Sequence, residues 1–343
     1  MSANGWRSWW RTGARAALLA VLCVFGLWGC GVLWFQLPLT SGWRVAAIAV
    51  WGVTVVAALW GSWRRRGRAV LPLGVLSVLL VGGWLSLAPQ QDREWADDVA
   101  QPLRARIDGD VLVVENVRNF HWRGEQDYDA RWEWREYPLD QLRSADLVLS
   151  YWMGPAIAHT LVSFGFADGR QLVFSLEIRK ERGESFSALG GFFRKFEVVL
   201  VAADERDIVH VRSNVRGETV YLYRLYGLDP DDLRSLLRGY VEQAQQLERA
   251  PRFYNTLTSN CTTVVYGLMR KVAPALPLDW RLLASGYLDE YAYDVGGLAP
   301  GSGFAELKRR GNITARARAA GHAQDFSRQI RDGVPGMPEP STR

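Results

Sequence analysis

The chain has 343 residues, of which 22% are charged, and a formal net charge of +5. Residues 1–90 contain eight arginines and no acidic residue, so subtracting them leaves the rest of the chain at −3. The basic balance therefore belongs to the N-terminal region, and it gives no support to a nucleic-acid-binding function. From about residue 100 onward the chain is long enough for one domain with a substantial core.

Three apolar runs open the chain, at residues 16–37, 45–63 and 70–88. Each is close to the roughly 20 residues that cross a bilayer core as a helix, and none contains an acid, a lysine or an arginine. The sequence therefore predicts three transmembrane helices. They make residues 1–90 a membrane anchor.

The arginines between these runs predict the orientation of the anchor. Three arginines precede the first run, four separate the second from the third, and only Arg44 separates the first two. Because short cytoplasmic loops carry the excess of positive charge, the N-terminus is expected in the cytoplasm. After three spans, residues 91–335 would form a periplasmic domain at a bacterial inner membrane. Residues 336–343, rich in proline, are expected to be a loose tail.

In the remaining chain a run of predicted strands comes before the main helices, which indicates an α+β fold with an antiparallel sheet. Apolar, β-branched segments predict strands at residues 110–117, 146–152, 158–166, 171–179, 196–202 and 218–225. A three-residue loop at 168–170 would join two of them into a hairpin. In that register His159 and Glu177 share one face of the sheet, with Glu177 diagonal to His159. Residues 229–250 are the strongest helix, with Asp229 as its N-cap and Pro230 in its first turn.

Cys261 is the only cysteine outside the first 90 residues, so it has no disulfide partner within its own domain. Good N-cap residues precede it, among them Asn260, and helical apolar spacing follows as far as Val272. Cys261 is therefore expected in the first turn of a helix, where the helix dipole favours a thiolate. The structural alternative is a small buried apolar residue that happens to follow a cap.

One histidine with a carboxylate in reach, followed by one cysteine at a helix start, is the pattern of a cysteine nucleophile with its base. In this interpretation Cys261 attacks, His159 is the base and Glu177 orients the imidazole. Alternatively, His159 is an ordinary strand residue and Glu177 pairs with Arg179 or Arg182. Because no metal-ligand spacing, phosphate-binding loop or dinucleotide fingerprint occurs, no metal and no cofactor are expected.

The chain resembles the Lnb N-terminal periplasmic domain family. The resemblance rests on residues 158–169, 175–179, 203–207 and 220–223 and, most specifically, on 253–263, which include Ser259-Asn260-Cys261-Thr262-Thr263. It implies lipoprotein N-acylation, in bacteria that lack the usual apolipoprotein N-acyltransferase, with His159 and Cys261 as the catalytic pair. The order of histidine before cysteine is also similar to circularly permuted papain-like folds, including the lecithin retinol acyltransferase group. The family name describes a domain that precedes membrane spans, whereas here the apolar runs come first.

These observations lead to one principal hypothesis and two alternatives. The principal hypothesis is acyl transfer from a phospholipid donor through a Cys261 thioester to an amine, the N-terminus of a membrane lipoprotein. Candidate substrate contacts are Asn260, Trp152, Arg118 and Arg179, with surface ion pairing as the alternative role of the arginines. The first alternative is hydrolysis of a cell-wall peptide or lipid ester by the same residues. The second is an inactive envelope domain that binds lipid or a partner through exposed tryptophans at positions 122, 132, 134 and 152.

Overall fold

The computed structural model describes residues 3–64 and 67–337. The chain forms two compact units, one comprising residues up to Pro89 together with Ser187–Lys195, the other comprising Gln90–Phe186 and the residues from Phe196 onward. The short segment Ser187–Lys195 thus belongs with the N-terminal helices, although the sequence places it within the second domain. Of the orientation signals, Arg65 and Arg66 lie outside the described residues, as does the tail from residue 338.

The first unit contains α1 (Ala3–Gln36), α2 (Ser41–Trp63), α3 (Leu71–Ser86) and the short α4 (Ala188–Phe192). Among the described residues, two helical stretches are long and apolar enough to cross a membrane, Thr12–Gln36 and Ser41–Trp63. The prediction of three spans is therefore wrong. The 16 residues of α3 reach only about 24 Å, less than a bilayer core, because the helix begins beside Pro72 and the chain is extended at Leu87.

The segment Ser187–Lys195 packs on α1 through an aromatic contact. Phe193 stacks on Phe35 with 5.5 Å between ring centroids, and its backbone carbonyl accepts a hydrogen bond from Gln36. A Cβ atom at Gly31 would lie 2.2 Å from the Phe193 ring, so only glycine permits this approach. This explains an otherwise unremarkable glycine in the first apolar run.

The second unit is built on a mixed sheet of eight strands, in the order β1-β2-β9-β8-β7-β6-β10 with β5 also paired to β2. All pairs are antiparallel except β2 with β9, so the prediction of an antiparallel sheet is corrected to a mixed one. A separate two-stranded hairpin joins β3 to β4. The strands are β1 (Arg104–Asp108), β2 (Val111–Arg118), β3 (His121–Trp122), β4 (Tyr128–Asp129), β5 (Trp132–Pro138), β6 (Leu142–Tyr151), β7 (Ala158–Phe166), β8 (Gln171–Arg179), β9 (Glu197–Ala203) and β10 (Thr219–Arg224).

Helices cover both faces of this sheet. One face packs on α6 (Pro230–Arg249) and α7 (Cys261–Val272), through residues such as Phe174 and Tyr240. The other face packs on α5 (Glu205–His210) and, after α8 (Leu288–Asp294) and α9 (Phe304–Gly311), on α10 (Thr314–Ala320) and α11 (Phe326–Arg331). The central strands are consequently buried on both faces. This explains their nearly continuous apolar composition.

The β7–β8 hairpin has the predicted strand bounds, but its loop comprises residues 167–169 instead of 168–170. The N–H of Phe166 donates to the carbonyl of Arg170, and Gly169 takes the left-handed conformation with φ of 86°. A glycine at the third loop position is typical of three-residue hairpins. Leu161 therefore faces Ser175, which is where the paired register of the two strands ends. Beyond it the side chains of His159 and Glu177 meet, with 3.1 Å between Nε2 and Oε1.

Candidate active site

Cys261 is the first residue of α7 and is held there by a capping box. The Asn260 side chain accepts a hydrogen bond from the Thr263 N–H at 2.8 Å, and the Thr263 hydroxyl accepts one from the Asn260 N–H at 3.0 Å. Cys261 itself is only 8% exposed and is part of the main core cluster. The thiol thus lies at the positive end of a helix dipole and in a largely desolvated place.

His159, near the start of β7, contacts the Cys261 sulfur. The charge and hydrogen-bonding capacity of the imidazole lower the pKa of the thiol, those of the sulfur raise the pKa of the imidazole, and the backbone N–H of Thr160 also acts on the sulfur. The Nε2 atom of His159 lies 2.7 Å from the Ser175 hydroxyl and 3.1 Å from Glu177 Oε1. With Nε2 engaged in this way, Nδ1 is the nitrogen available to the sulfur. The fold therefore brings together two residues that are about a hundred positions apart in sequence.

Glu177 connects the histidine to a buried polar network. Its Oε1 accepts hydrogen bonds from the Ser175 hydroxyl at 2.7 Å and from Arg212 Nη2 at 2.8 Å. Arg212 also lies 3.5 Å from Glu218, which accepts a hydrogen bond from Ser150. The charged members of this network have side chains that are at most 18% exposed. Such a network holds the imidazole in one orientation.

The pKa of each residue in the pair shifts in the direction that favours its charged form. Burial on its own raises the pKa of the Cys261 thiol, but the His159 charge and hydrogen bond, with help from the Thr160 N–H, outweigh it and lower the pKa to about 7. Burial on its own lowers the pKa of His159, but Glu177, and to a lesser degree Cys261, raise it to about 9 against the opposing charge of Arg212. Between these values thiolate and imidazolium coexist. That is the reactive form of a cysteine nucleophile.

Among the predicted substrate contacts, Asn260 and Trp152 lie close to this pair in the fold. The Asn260 side chain is fully engaged, because its Nδ2 also donates to the Thr256 carbonyl at 2.7 Å. Trp152 directly follows β6, whose last residue Tyr151 faces Ala158, the neighbour of His159. Its indole is 40% exposed and packs edge-on against Phe186. Trp152 is thus available to a ligand, whereas Asn260 serves the helix start.

The two predicted arginine contacts are corrected by the structure. Arg118 is 3% exposed and forms a bidentate ion pair with the buried Asp207, at 2.9 and 3.0 Å. Arg179 is 7% exposed, donates to the carbonyls of Val99 and Ala100 and lies over the Trp95 ring. Both guanidinium groups are engaged in contacts inside the domain and do not face a substrate at its surface. The sequence alone predicts surface charges at these positions, because no neighbouring residue indicates a buried partner.

The four tryptophans that the inactive-domain alternative assigns to a binding surface are not all exposed. Trp122 is 3% exposed and its indole N–H donates to Asp207, while Trp132 packs edge-on against Phe120. Trp134 and Trp152 are exposed. A ligand could therefore use at most two of the four.

Several residues of the site were not predicted as functional. Ser175 could have been found, since it shares a strand face with Glu177. Arg212 has no sequence signal, because it follows α5 in a π-helical turn, Val211–Val215, whose geometry no residue pattern indicates. The Thr160 N–H contributes through its backbone, which sequence reasoning does not reveal.

No group of three or more histidine, cysteine, aspartate and glutamate side chains within residues 3–64 and 67–337 has the arrangement of a metal site. Three of the four histidines do meet. His322 stacks between His121 and His210, with ring centroids 4.0 and 4.2 Å apart. Burial and the neighbouring imidazoles lower the pKa of His210 to about 4, so His210 is neutral at physiological pH.

Fold and site together define an α+β domain with a buried cysteine–histidine pair, in a chain that begins with apolar helices. A model of the family described as the Lnb N-terminal periplasmic domain matches residues 128–286, which include His159, Glu177 and Cys261. The resemblance to this family that the motifs indicated is therefore confirmed over residues 128–286. No curated protein and no solved structure matches the chain significantly. The relation to circularly permuted papain-like folds stays a prediction.

The family also bears on where the protein acts. The match to a periplasmic domain family, together with two apolar helices near the N-terminus, indicates a periplasmic domain anchored to a membrane. The number of transmembrane helices no longer supports the predicted orientation. A cytoplasmic N-terminus and a periplasmic domain require an odd number of spans. The periplasmic assignment now rests on the family.

Proposed function

We propose that this protein is a membrane-anchored periplasmic acyltransferase, which takes a fatty acyl chain from phospholipid onto Cys261 and passes it to an amine, the N-terminus of a lipoprotein. The observation that carries the proposal is the pairing of Cys261, at the start of α7, with His159, which Glu177 holds at 3.1 Å: the thiol pKa is lowered to about 7 and the imidazole pKa is raised to about 9. A buried cysteine without a chemical role would have its pKa raised by burial.

In the first half-reaction the Cys261 thiolate attacks the ester carbonyl of the phospholipid. The carbonyl oxygen becomes an oxyanion, which the first N–H groups of α7 are suited to stabilise. The tetrahedral intermediate then collapses, the bond to the glycerol oxygen breaks, and the imidazolium of His159 donates its proton to that oxygen. The products are a lysophospholipid and an acyl thioester on Cys261.

In the second half-reaction a neutral amine attacks the thioester carbonyl. His159, now neutral, accepts a proton from the attacking nitrogen, and the Cys261 thiolate leaves. The amide product carries the acyl chain, and the ion pair is restored. Glu177 takes no proton in this scheme. Its role is to orient the imidazole and to stabilise its charged form.

Exposed apolar side chains on two adjoining loops favour a lipid as the acyl donor. Trp152 and Met153 follow β6 and are 40% and 54% exposed, while Leu278 and Trp280 precede α8 and are 82% and 63% exposed. The loops meet at Gly286, whose N–H donates to the carbonyl of Ala156. Tryptophan, methionine and leucine in this density suit an interface with lipid better than one with water.

Product analysis tests the proposal. The full chain in mixed micelles would be incubated with phospholipid labelled in its acyl chains, with and without a peptide bearing a diacylglyceryl N-terminal cysteine. An acyltransferase moves label to the peptide amine, and the label stays on the peptide after treatment with hydroxylamine. Release of free fatty acid at the same rate with and without the peptide would indicate a hydrolase instead. Absence of any product that depends on Cys261 would favour a binding domain.

A further inference from the structure

A polar groove lies between α6 and α7, apart from the Cys261–His159 pair. It has a volume of about 330 Å³ and is bounded by Gln243 of α6, by Gly267 and Lys271 of α7, and by Arg252 and Ser259 of the connection between the helices. Ser259 is two residues from Cys261 in sequence, yet the Cys261 side chain packs in the core cluster. The groove is therefore separate from the Cys261–His159 pair, although it adjoins the start of the nucleophile helix.

Three buried donor atoms in this groove have no hydrogen-bond partner in the part of the chain that the structure describes. They are Nε of Arg252, Nε2 of Gln243 and Oγ of Ser259. Buried polar atoms are nearly always satisfied, because an unmet donor retains its full desolvation cost. Because these three atoms belong to side chains that line one groove, their acceptor must come from outside the chain, either a ligand or water. The amide and the guanidinium nitrogens are donors only, so that ligand must supply acceptors.

The charge of the groove is positive. Lys271 is paired with Glu242 at 2.7 Å on the rim, so these two charges offset each other. Arg252 has no ion pair with a carboxylate within residues 3–64 and 67–337, and its pKa is lowered by burial without any opposing acid. One uncompensated guanidinium therefore remains among the unmet donors. An anion is the ligand that such a site accommodates best.

The backbone holds these donors in place before a ligand arrives. The carbonyl of Arg252 accepts a hydrogen bond from Val198 at 2.9 Å, which ties its segment to β9. The N–H of Ser259 donates to the carbonyl of Asn255 at 3.0 Å, closing a tight loop. A preformed set of donors loses little conformational entropy on binding.

We propose that this groove binds a phosphate group, with Arg252, Gln243 and Ser259 as its donors. A guanidinium matches the oxygen geometry of phosphate, and the volume of about 330 Å³ leaves room for an ester substituent. The choice of phosphate among anions rests on the proposed function, whose acyl donor is a phospholipid. The phosphate could be that of a lipid headgroup or a free one, and the experiment separates the two.

Calorimetric titration of the full chain in detergent tests the site. The probes are inorganic phosphate, glycerophosphoethanolamine as the headgroup without its acyl chains, and acetate. Wild type should bind a phosphate probe in preference to acetate, and Arg252→Gln should weaken this binding at least tenfold. Arg249→Gln is the matched control, since Arg249 is exposed at the end of α6 and makes the same change in charge. Binding of the glycerophosphodiester identifies a headgroup site, and binding of inorganic phosphate alone identifies a free-phosphate site.

A second variant keeps the test valid if Arg252→Gln folds poorly. A Cβ atom at Gly267 would meet nothing within 4 Å, so Gly267→Leu fills the groove without a clash at its base. This variant should retain the wild-type circular dichroism and lose phosphate binding. Wild-type affinity in either variant, or no phosphate binding in wild type, would overturn the proposal.

The result of the phosphate-binding test can be distinguished from the result of the test of the proposed acyltransferase function. Cys261→Ala should bind the phosphate probe as wild type does, because the sulfur is not part of the groove. An acyl-enzyme in a protein that binds no phosphate would remove only the groove proposal. Phosphate binding in a protein that never forms an acyl-enzyme would remove only the acyltransferase proposal.

Discussion

His159 and Glu177 face each other across β7 and β8, with Nε2 of the imidazole 3.1 Å from Oε1 of the carboxylate. Arg212 donates a hydrogen bond to the same carboxylate oxygen at 2.8 Å. The imidazolium and Arg212 lower the pKa of Glu177 well below its usual range in spite of burial. A carboxylate that stays ionised in turn keeps His159 protonated near neutral pH.

The pH dependence of Cys261 alkylation should show the lowered thiol pKa. In a Cys23→Ala, Cys30→Ala background, the rate of reaction with iodoacetamide should rise through pH of about 7 instead of about 8.5. In His159→Gln the imidazole no longer opposes burial, so the midpoint should move above about 8.5 and the rate at pH 7 should fall at least about tenfold. A midpoint that stays near pH 7 in His159→Gln would contradict the ion pair.

The upper limit of activity should depend on Glu177. Acyl-enzyme formation needs thiolate and imidazolium together, so its rate should rise through pH of about 7 and fall above about 9. In Glu177→Gln the charge that raises the His159 pKa is lost. The falling limb should therefore move to lower pH, with a maximal rate reduced roughly 100-fold. Glu136→Gln, at an exposed position on β5, is the matched control and should leave the profile unchanged.

Arg118 should matter to stability and not to substrate binding. Removing its side chain in Arg118→Met leaves Asp207 as an unpaired charge with 0% exposure, which should cost about 3–5 kcal/mol of the free energy of unfolding. Arg106→Met breaks an exposed pair with Glu115 and should cost at most about 1 kcal/mol. Urea denaturation followed by tryptophan fluorescence measures both. A stable Arg118→Met protein with weakened lipid binding would restore the sequence-based role of this arginine.

Asn260 should act through the helix start that carries Cys261. Asn260→Ala removes the hydrogen bond to the Thr263 N–H and should cost about 1 kcal/mol of stability. Asn260→Ser keeps a capping oxygen, so its stability and its rate of acyl-enzyme formation should stay within a few-fold of wild type. A Ser variant of full stability with a severely reduced rate would instead indicate that the Asn260 amide contacts the substrate.

Much of the sheet could be predicted from the sequence, because local pattern and turn chemistry agree there. The bounds of β7 and β8 follow from alternation and from the Asp168-Gly169 turn. The bounds of α6 follow from its cap and from Pro251. In contrast, the sequence does not predict β5, since its tryptophans alternate with Glu133 and Arg135, whose partly buried ion pair has no local signal. Hydropathy also exaggerated the third apolar run, because it takes no account of Pro72 and Pro89 shortening the helix.

The sequence predicts the two reacting residues of the candidate site, but not the residues that hold and charge them. Cys261 and His159 are conspicuous because the domain has one thiol, and a helix start and a strand are local features. Arg212, Ser175 and the Thr160 N–H reach the pair through tertiary packing, which no spacing reveals. Arg118 and Arg179 were wrongly predicted for the same reason. A charged residue is expected to be exposed unless its buried partner is known.

The most direct test of the account is the mass of the protein after exposure to phospholipid. Intact-mass spectrometry of wild type incubated with phospholipid micelles should show the addition of one fatty acyl chain, removable by neutral hydroxylamine because it is a thioester. Cys261→Ala should show no adduct, and His159→Gln should form it far more slowly while keeping its thermal stability. An adduct that persists in Cys261→Ala, or a wild-type protein that never acquires one while its thiol is fully reactive, would contradict acyl transfer through Cys261.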